Sequence, residues 1–159
     1  MLLMKSAEMR RLAFGLMFPM LALLTGCASQ VSDSGLSGRR ADVVLAGLSQ
    51  IGTPYVYGGK SPATGFDCSG LTYYAHQAAG LSIPRVAIDQ QRASHPVRDQ
   101  PKPGDMVFFK TGAEVYHVGL MVDKNRFVHA SISRNQVRID RLDTPYWQAH
   151  YLGAGTYLN

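Results

Sequence analysis

Apolar residues recur at helical spacing shortly after residue 38. The apolar positions are Val44, Leu48 and Ile51, with Ala41 and Leu45 beside them. This spacing predicts a helix over residues 39–51, and Gly52 supplies a stop. Residues 53–59 are then predicted to be extended and closed by glycines, and residues 60–66 to form a loop.

A further helix is predicted to begin at residue 68, with Asp67 as its N-cap. The residues of this helix that are predicted to face inward are Leu71, Tyr74, Ala75 and Ala78. This apolar stripe ends before Gly80. Cys68 lies three residues before Leu71, so it shares the buried-facing stripe at the first turn. Residues 81–85 then form a turn into a second polar helix over about residues 86–94.

The second half of the chain reads as strands bounded by Gly, Asn and Asp. Five strands are predicted, over residues 106–110, 117–122, 126–130, 136–139 and 151–158. Because helices precede a block of mostly antiparallel strands, the predicted fold class is α+β.

The first residues have the pattern of an export signal. Lys5, Arg10 and Arg11 precede an apolar run over residues 12–24, which is shorter than the ~20 residues that span a bilayer. The run ends in Leu-Thr-Gly-Cys at residues 24–27, which resembles a bacterial lipobox. We therefore expect cleavage before Cys27 and lipidation of its sulfur and amine. An ordinary secretory signal or an uncleaved anchor is the alternative.

Three regions follow from this pattern. Residues 1–26 are predicted to be a lipoprotein signal peptide, residues 27–38 a lipidated cysteine with a Ser- and Gly-rich tether, and residues 39–159 one domain. Cys27 and Cys68 are the two cysteines of the chain. A disulfide between them is disfavoured, since lipidation would consume Cys27 and a flexible tether is a poor place for a crosslink.

Charge gives a weak indication of the partner. Removal of residues 1–26 lowers the formal net charge from +5 to +3, because the leader contains Lys5, Arg10, Arg11 and Glu8. The basic residues are scattered and do not interleave with aromatics, which disfavours nucleic acid. A mild positive balance suits an anionic polymer such as the cell wall.

Cys68 is the candidate nucleophile. An unpaired cysteine at the start of a helix, with histidines downstream, is the arrangement of a cysteine hydrolase. The free N–H groups and the macrodipole at a helix N-terminus favour an anion, so we expect a lowered thiol pKa. The same N–H groups can stabilise an oxyanion.

Geometry separates the five histidines. His76 lies eight residues after Cys68, ~12 Å along the helix, so it cannot be the base, while His95 and His150 read as surface or packing residues. The strands of His117 and His129 are separated by the turn-like residues 123–125.

An odd-numbered turn places His117 and His129 on the same sheet face as neighbours, and a two-residue turn would place them on opposite faces. On one face they can act as base and orienting residue for a thiol, and the alternative is that each satisfies a polar spot in the core. Cys68, His117 and His129 could also bind zinc, but no close ligand pair supports this, so neither metal nor cofactor is expected.

Six motifs occur in order between residues 55 and 130 and together resemble the NlpC-type cell-wall cysteine peptidases. They are YVYGG at 55–59, GFDCSGL at 65–71, IPR at 83–85, KPGD at 102–105, HVG at 117–119 and RFVHA at 126–130. The match covers nearly all of residues 39–159. Val86 and Ala87 depart from the pattern, since many relatives have a hydroxyl residue after the IPR motif.

The resemblance implies a papain-like core, with the nucleophile helix packed on an antiparallel sheet. It implies that Cys68 is the nucleophile, His117 the base and His129 the orienting residue. It also implies that the Tyr55 hydroxyl assists an oxyanion hole. The backbone N–H of Cys68 would be the other donor.

Three residues near the nucleophile are implied only as substrate contacts. Asp67 and Ser69 would shape the substrate side of the cleft, although N-capping and hydrogen bonding in the first turn explain them equally well. Arg85 could attract a substrate carboxylate, although an exposed loop arginine is the default interpretation.

The expected function is hydrolysis of amide bonds in peptidoglycan stem peptides or crosslinks, at a γ-linked D-glutamate or a diaminopimelate. A papain-like amidase or acyl-transfer enzyme, and a non-catalytic wall-binding lipoprotein, are the alternatives.

The expected partners are peptidoglycan and, through lipid on Cys27, a membrane. Ala28 in place of an aspartate favours the outer membrane, facing the periplasm. The expected state is a monomer.

Overall fold

The computed structural model describes residues 38–158. The predicted signal peptide, the lipidation site Cys27 and the tether up to residue 37 lie outside these residues. The described part is α+β, as predicted. Its helices are α1 (Arg39–Leu48), α2 (Cys68–Ala78), α3 (Ala87–Ala93) and α4 (Pro145–His150).

Two sheets accompany the helices. A small hairpin pairs β1 (Lys60–Ser61) with β2 (Gly65–Phe66). The main sheet has six strands in the order β3-β8-β4-β5-β6-β7, and every neighbouring pair is antiparallel. Its strands are β3 (His95–Val97), β4 (Met106–Lys110), β5 (Tyr116–Met121), β6 (Arg126–Ser131), β7 (Gln136–Arg141) and β8 (Tyr151–Thr156).

The buried face of α1 differs from the predicted stripe. The helix ends at Leu48, and its buried residues are Val43, Val44 and Gly47. Leu45 and Ile51, which belong to the apolar positions that predicted the helix, are 62% and 51% exposed. Glycine at 47 lets the backbone approach the sheet closely, because a Cβ there would lie only 3.0 Å from Leu120. This contact fixes which side of the helix faces the core.

The buried face of α2 is also rotated from the prediction. It contains Leu71, Thr72, Ala75 and His76, whereas Ala78, predicted to face inward, is exposed. Polar bonds explain part of the rotation, since the Thr72 hydroxyl donates to the amide oxygen of buried Gln90. Apolar periodicity alone misses a helix face that contains paired polar groups.

All five predicted strands are present, with small changes at their ends. The short elements were missed: residues 60–66, predicted as a loop, contain β1 and β2, and His95, predicted in a loop, begins β3. The helix α4 was also missed. Strands of two or three residues, and a helix of fewer than two turns such as α4, have too little periodicity to be seen in sequence.

The main sheet separates two apolar clusters. The larger lies between the helices and the sheet and includes Leu71, Val118 and Val128. The smaller, which we call the Trp147 cluster, contains Val107, Phe109, Met121, Phe127 and Trp147. Alternating residues of one strand, such as Phe108 and Phe109, enter different clusters, so the clusters lie on opposite faces.

None of the helices within residues 38–158 is long and apolar enough to cross a membrane.

His76 makes the stability of the fold sensitive to pH. Its ring is fully buried, Nδ1 donates to the Thr72 carbonyl at 2.8 Å, and Nε2 has no hydrogen-bond partner within the described residues. Burial lowers the pKa of His76. The folded state therefore binds fewer protons than the unfolded chain, and stability present above pH ~6.5 is lost as the pH falls.

We expect a His76→Leu variant to lose less stability than the wild type between pH 7.5 and pH 5. One such group contributes at most about 1.4 kcal/mol per pH unit below its unfolded pKa. Urea unfolding at both pH values measures the difference, and the lost Thr72 hydrogen bond cancels because it is missing at each pH. Equal pH slopes in the two proteins would show that His76 is not the sensitive group.

Candidate active site

Cys68 is the first residue of α2, as predicted. Asp67 caps the helix by accepting the backbone N–H of Gly70 at 2.6 Å. Within the described residues Cys68 forms no disulfide and is half-buried, and the backbone N–H of Val118, the residue after His117, hydrogen-bonds to its sulfur. The start of α2 therefore lies against β5 beside His117.

The expected lowering of the thiol pKa is wrong for this structure. Burial and then the negative charge of Asp67 raise the pKa of Cys68 to about 11. The N–H groups of Val118, Ser69 and Cys68 act in the opposite direction, but they do not outweigh the loss of solvation. At neutral pH the Cys68 side chain is thus a neutral thiol.

His117 and His129 lie on the same face of the sheet, which confirms the predicted register. The β5–β6 turn has three residues, 123–125, because the N–H of Val122 donates to the carbonyl of Arg126. β5 and β6 pair at Leu120–Val128 and Met121–Phe127. His117 Nε2 lies 2.9 Å from His129 Nδ1.

His117 is held in an aromatic pocket. Its ring stacks on Trp147, with centroids 5.5 Å apart and planes 21° apart, and lies 6.3 Å from the ring of Phe109. Burial, and then the nearby His129, lower the pKa of His117 to about 3, against the opposing effect of Asp140. The imidazole is therefore neutral at physiological pH and can accept a proton.

The sequence analysis missed three residues that continue this polar chain. His129 Nε2 lies 3.1 Å from Asp140 Oδ2, the Trp147 indole N–H donates to the same oxygen at 3.3 Å, and Arg138 pairs with Oδ1 at 2.8 Å. Arg138 is the cross-strand partner of His129, and Asp140 lies two residues further on the same face. Arg138 and Asp140 could have been found by counting alternate residues along a third strand, β7. That count needs the register between β6 and β7, which the sequence does not show.

Arg85 is not the exposed loop arginine that the default interpretation describes. Its guanidinium makes a two-pronged ion pair with Asp67, at 2.9 and 2.8 Å, and also donates to the Ser69 hydroxyl and the Gly59 carbonyl. The three residues implied as substrate contacts thus bind one another. In this structure Arg85 clamps the residues on both sides of the nucleophile.

Two glycines let the loops around the nucleophile pack closely. Asp67 N–H donates to the Gly59 carbonyl at 3.1 Å, and a Cβ on Gly70 would collide with that same carbonyl oxygen. A Cβ on Gly59 would in turn collide with the carbonyl of Gly65. The glycines of the two predicted motifs are therefore required by backbone contacts at the start of α2.

Tyr55 lies near the nucleophile. It forms an isolated bridge with Phe66 and packs against the larger apolar cluster. Burial, followed by the charges of Cys68 and Asp67, raises the pKa of Tyr55, so its hydroxyl keeps its proton. A protonated hydroxyl is able to donate a hydrogen bond.

A cavity of about 870 Å³ adjoins the histidine pair. His117, His129, Asp140 and Trp147 contribute to its wall. The wall also contains four arginines, Arg126, Arg134, Arg138 and Arg141. Arg126, Arg138 and Arg141 are paired with aspartates, and Arg134 has no carboxylate partner within the described residues.

No group of three His, Cys, Asp or Glu side chains within residues 38–158 is arranged to hold a metal ion.

A cysteine at a helix N-terminus, set beside a histidine pair on an antiparallel sheet, defines a papain-like site. The chain belongs to the NlpC/P60 family, whose model matches residues 52–156. The resemblance read from the motifs is thereby confirmed.

Individual relatives agree with this assignment. The chain is 42% identical to murein DD-endopeptidase MepH of Escherichia coli, over 67% of this chain and 42% of the relative. It is 41% identical to gamma-DL-glutamyl hydrolase of Bacillus subtilis, over 74% of this chain and 29% of the relative. The chain thus spans less than half the length of either.

A solved structure with the same fold comes from Staphylococcus aureus and is described as similar to lipoprotein, NLP/P60 family. It shares 35% identity with a TM-score of 0.68, over 80% of this chain and 45% of that chain. The agreement extends to the α+β architecture, with helices on an antiparallel sheet.

The neutral thiol can be tested by alkylation. In residues 28–159 Cys68 is the one cysteine, so mass spectrometry reports its reaction with iodoacetamide directly. Because the thiol pKa is raised to about 11, we expect the rate to keep rising between pH 7 and pH 10. A rate that has already levelled off by pH 7 would show a preformed thiolate and contradict the neutral resting state.

The clamp can be tested by unfolding. The Arg85–Asp67 pair is mostly buried, with side chains 30% and 14% exposed, so we expect Arg85→Ala to cost about 1–3 kcal/mol in free energy of unfolding. Arg92→Ala is the matched control: Arg92 pairs with Asp89 on the surface, and its loss should cost at most about 0.5 kcal/mol. Equal losses in urea unfolding would mean that Arg85 is not a structural clamp.

Proposed function

We propose that this protein is a peptidoglycan endopeptidase that hydrolyses amide bonds of murein peptides through Cys68. The observation that carries the proposal is the hydrogen bond to the Cys68 sulfur from the backbone N–H of Val118, the residue next to His117, whose ring pairs with His129. The names of the two curated relatives, a murein DD-endopeptidase and a gamma-DL-glutamyl hydrolase, support the substrate class.

The first step couples proton transfer from the Cys68 thiol to His117 with attack by the sulfur. His117 Nε2 faces His129, so Nδ1 is the nitrogen left to accept this proton. The sulfur attacks the scissile carbonyl and forms a tetrahedral oxyanion. The Cys68 N–H and the Tyr55 hydroxyl are the proposed donors to that oxyanion, and both are close to the sulfur.

His117 then gives the proton to the leaving amine, which releases the first product and leaves a thioester on Cys68. Water attacks the thioester with His117 as base, which frees the acid product and restores the thiol. Since the resting thiol and imidazole are both neutral, the thiol proton must move as the sulfur attacks. The enzyme thus works by general base catalysis from a neutral pair.

The scissile bond lies at a γ-linked D-glutamate or a diaminopimelate in this proposal. The relatives named for DD and for gamma-DL bonds leave both possible. The arginine-lined cavity beside His117 suits a leaving segment that has a carboxylate, which both kinds of bond supply.

We also propose attachment to a membrane. The lipobox-like residues 24–27 favour a mature lipoprotein with lipid on Cys27, tethered by residues 28–38. The description of the Staphylococcus aureus neighbour as similar to lipoprotein agrees with this. Ala28 favours the outer membrane and the periplasmic side, and the chain acts as a monomer in this scheme.

Digestion of purified peptidoglycan tests the function. Residues 28–159 and their Cys68→Ala variant are incubated with sacculi and with defined crosslinked muropeptides, and the products are weighed by mass spectrometry. We expect new fragments from the wild type that are absent with Cys68→Ala, and their masses identify the bond. Amide exchange without hydrolysis would favour an acyl-transfer enzyme, and intact substrate with folded protein would favour a wall-binding lipoprotein.

A further inference from the structure

Asp140 is surrounded by hydrogen-bond donors. His129 Nε2 and the Trp147 indole N–H reach its Oδ2, and the Arg138 guanidinium reaches its Oδ1. Arg138 and Trp147 can only donate. Although burial acts to raise it, the hydrogen bonds from His129 and Trp147 and the charge of Arg138 lower the pKa of Asp140 overall. Asp140 is thus a carboxylate that accepts from every neighbour.

A carboxylate that only accepts determines which nitrogen of His129 has the proton. His129 Nε2, 3.1 Å from Asp140, must be the N–H, so in the neutral ring Nδ1 is a bare acceptor. His129 Nδ1 lies 2.9 Å from His117 Nε2, so that nitrogen must donate. His117 Nδ1 is then left bare. This is the nitrogen that the proposed reaction needs as its base.

We propose that Asp140 is a positioning residue that sets the tautomers of both histidines and so makes His117 Nδ1 the proton acceptor for Cys68. The inference rests on the proposed function and extends its Cys68, His117 and His129 set by one residue. Asp140 reaches the nucleophile only through the two histidine rings. It acts two rings away, through two consecutive hydrogen bonds.

The sheet register places the three groups for this role. His117, His129 and Asp140 lie on β5, β6 and β7, which are consecutive neighbours in the sheet. His129 pairs with Arg138, and Asp140 is the next residue on that face. The two histidines are almost fully buried, at 8% and 2% exposure, whereas the Asp140 side chain is 22% exposed. Water therefore competes little for hydrogen bonds to the ring nitrogens, and the neighbouring protein groups determine the tautomer of each ring.

The same chain stabilises the charge formed in the reaction. When His117 accepts the thiol proton at Nδ1, its ring becomes an imidazolium that still donates from Nε2 to His129. The Asp140 charge lies at the far end of this chain and opposes the lowering of the His117 pKa that burial causes. Loss of that charge should therefore slow the proton transfer and leave substrate binding unaffected.

Kinetics on a defined crosslinked muropeptide test the role with three variants. Asp140→Asn keeps the size, but its NH₂ group can donate to His129 Nε2 and so reverse both tautomers. We expect kcat to fall about 10²–10⁴-fold with little change in KM, by analogy with loss of the acidic group in serine protease triads. Asp140→Ala, which imposes no tautomer, should lose less than Asp140→Asn.

Asp143→Asn is the matched control, because Asp143 is an exposed aspartate that pairs with Arg141 and lies outside the histidine chain. It should keep kcat within about twofold of the wild type, and thermal unfolding of each variant checks folding. Wild-type kcat in Asp140→Asn, or an equal loss in Asp140→Ala and Asp140→Asn, would overturn the tautomer role.

Nitrogen NMR gives a readout that does not depend on activity. In ¹⁵N-histidine-labelled protein, we expect both His117 and His129 to be protonated at Nε2 and bare at Nδ1. We expect the Asp140→Asn variant to move the proton to Nδ1 on both rings. A wild-type His117 protonated at Nδ1 would overturn the inference.

The NMR result also separates the two hypotheses. If the wild type shows the expected tautomers but cleaves no muropeptide, the proposed function is wrong and the tautomer assignment stands. If the wild type cleaves muropeptides but has the other tautomers, the function stands and the inference about Asp140 fails.

Discussion

The register of the β5–β6 hairpin is the constraint on which the site depends. The three-residue turn is fixed by Asp123, whose Oδ1 accepts the N–H groups of Asn125 and Arg126. A slip of one residue would turn His129 to the helix side of the sheet and separate it from both His117 and Asp140. The apolar residues of the two strands oppose such a slip, because Val128 and Phe127 would also exchange faces.

Burial of the site has chemical as well as structural consequences. The surroundings that order the His117 ring, above all Trp147 and Phe109, also remove it from water and lower its pKa to about 3. At the other side of the reaction centre, burial raises the Cys68 pKa to about 11. At rest the site therefore contains neither a Cys68 thiolate nor a His117 imidazolium. The reaction depends instead on a proton acceptor that is held in a fixed position. Geometry, rather than a preformed ion pair, is what the fold supplies.

Much of the site could be predicted from sequence because it depends on local rules. An aspartate before an amphipathic run predicted the N-cap at Asp67, and odd–even counting across a short turn predicted the shared face of His117 and His129. The remainder depends on distant contacts. Arg85 binds Asp67, which lies 18 residues earlier in the chain. The position of Asp140 beside His129 follows only from the register of a second hairpin, β6–β7. The thiol pKa was mispredicted because the helix N-terminus is a local feature, whereas desolvation comes from the whole fold.

The central claim is that Cys68 forms a covalent acyl-enzyme, and trapping that intermediate tests it most directly. Hydroxylamine competes with water for a thioester, so cleavage of a crosslinked muropeptide in its presence should yield a peptidyl hydroxamate. We expect the hydroxamate fraction to rise with hydroxylamine concentration and no product to form with Cys68→Ala. Cleavage that gives only the free acid at high hydroxylamine, or that persists in Cys68→Ala, would contradict the claim.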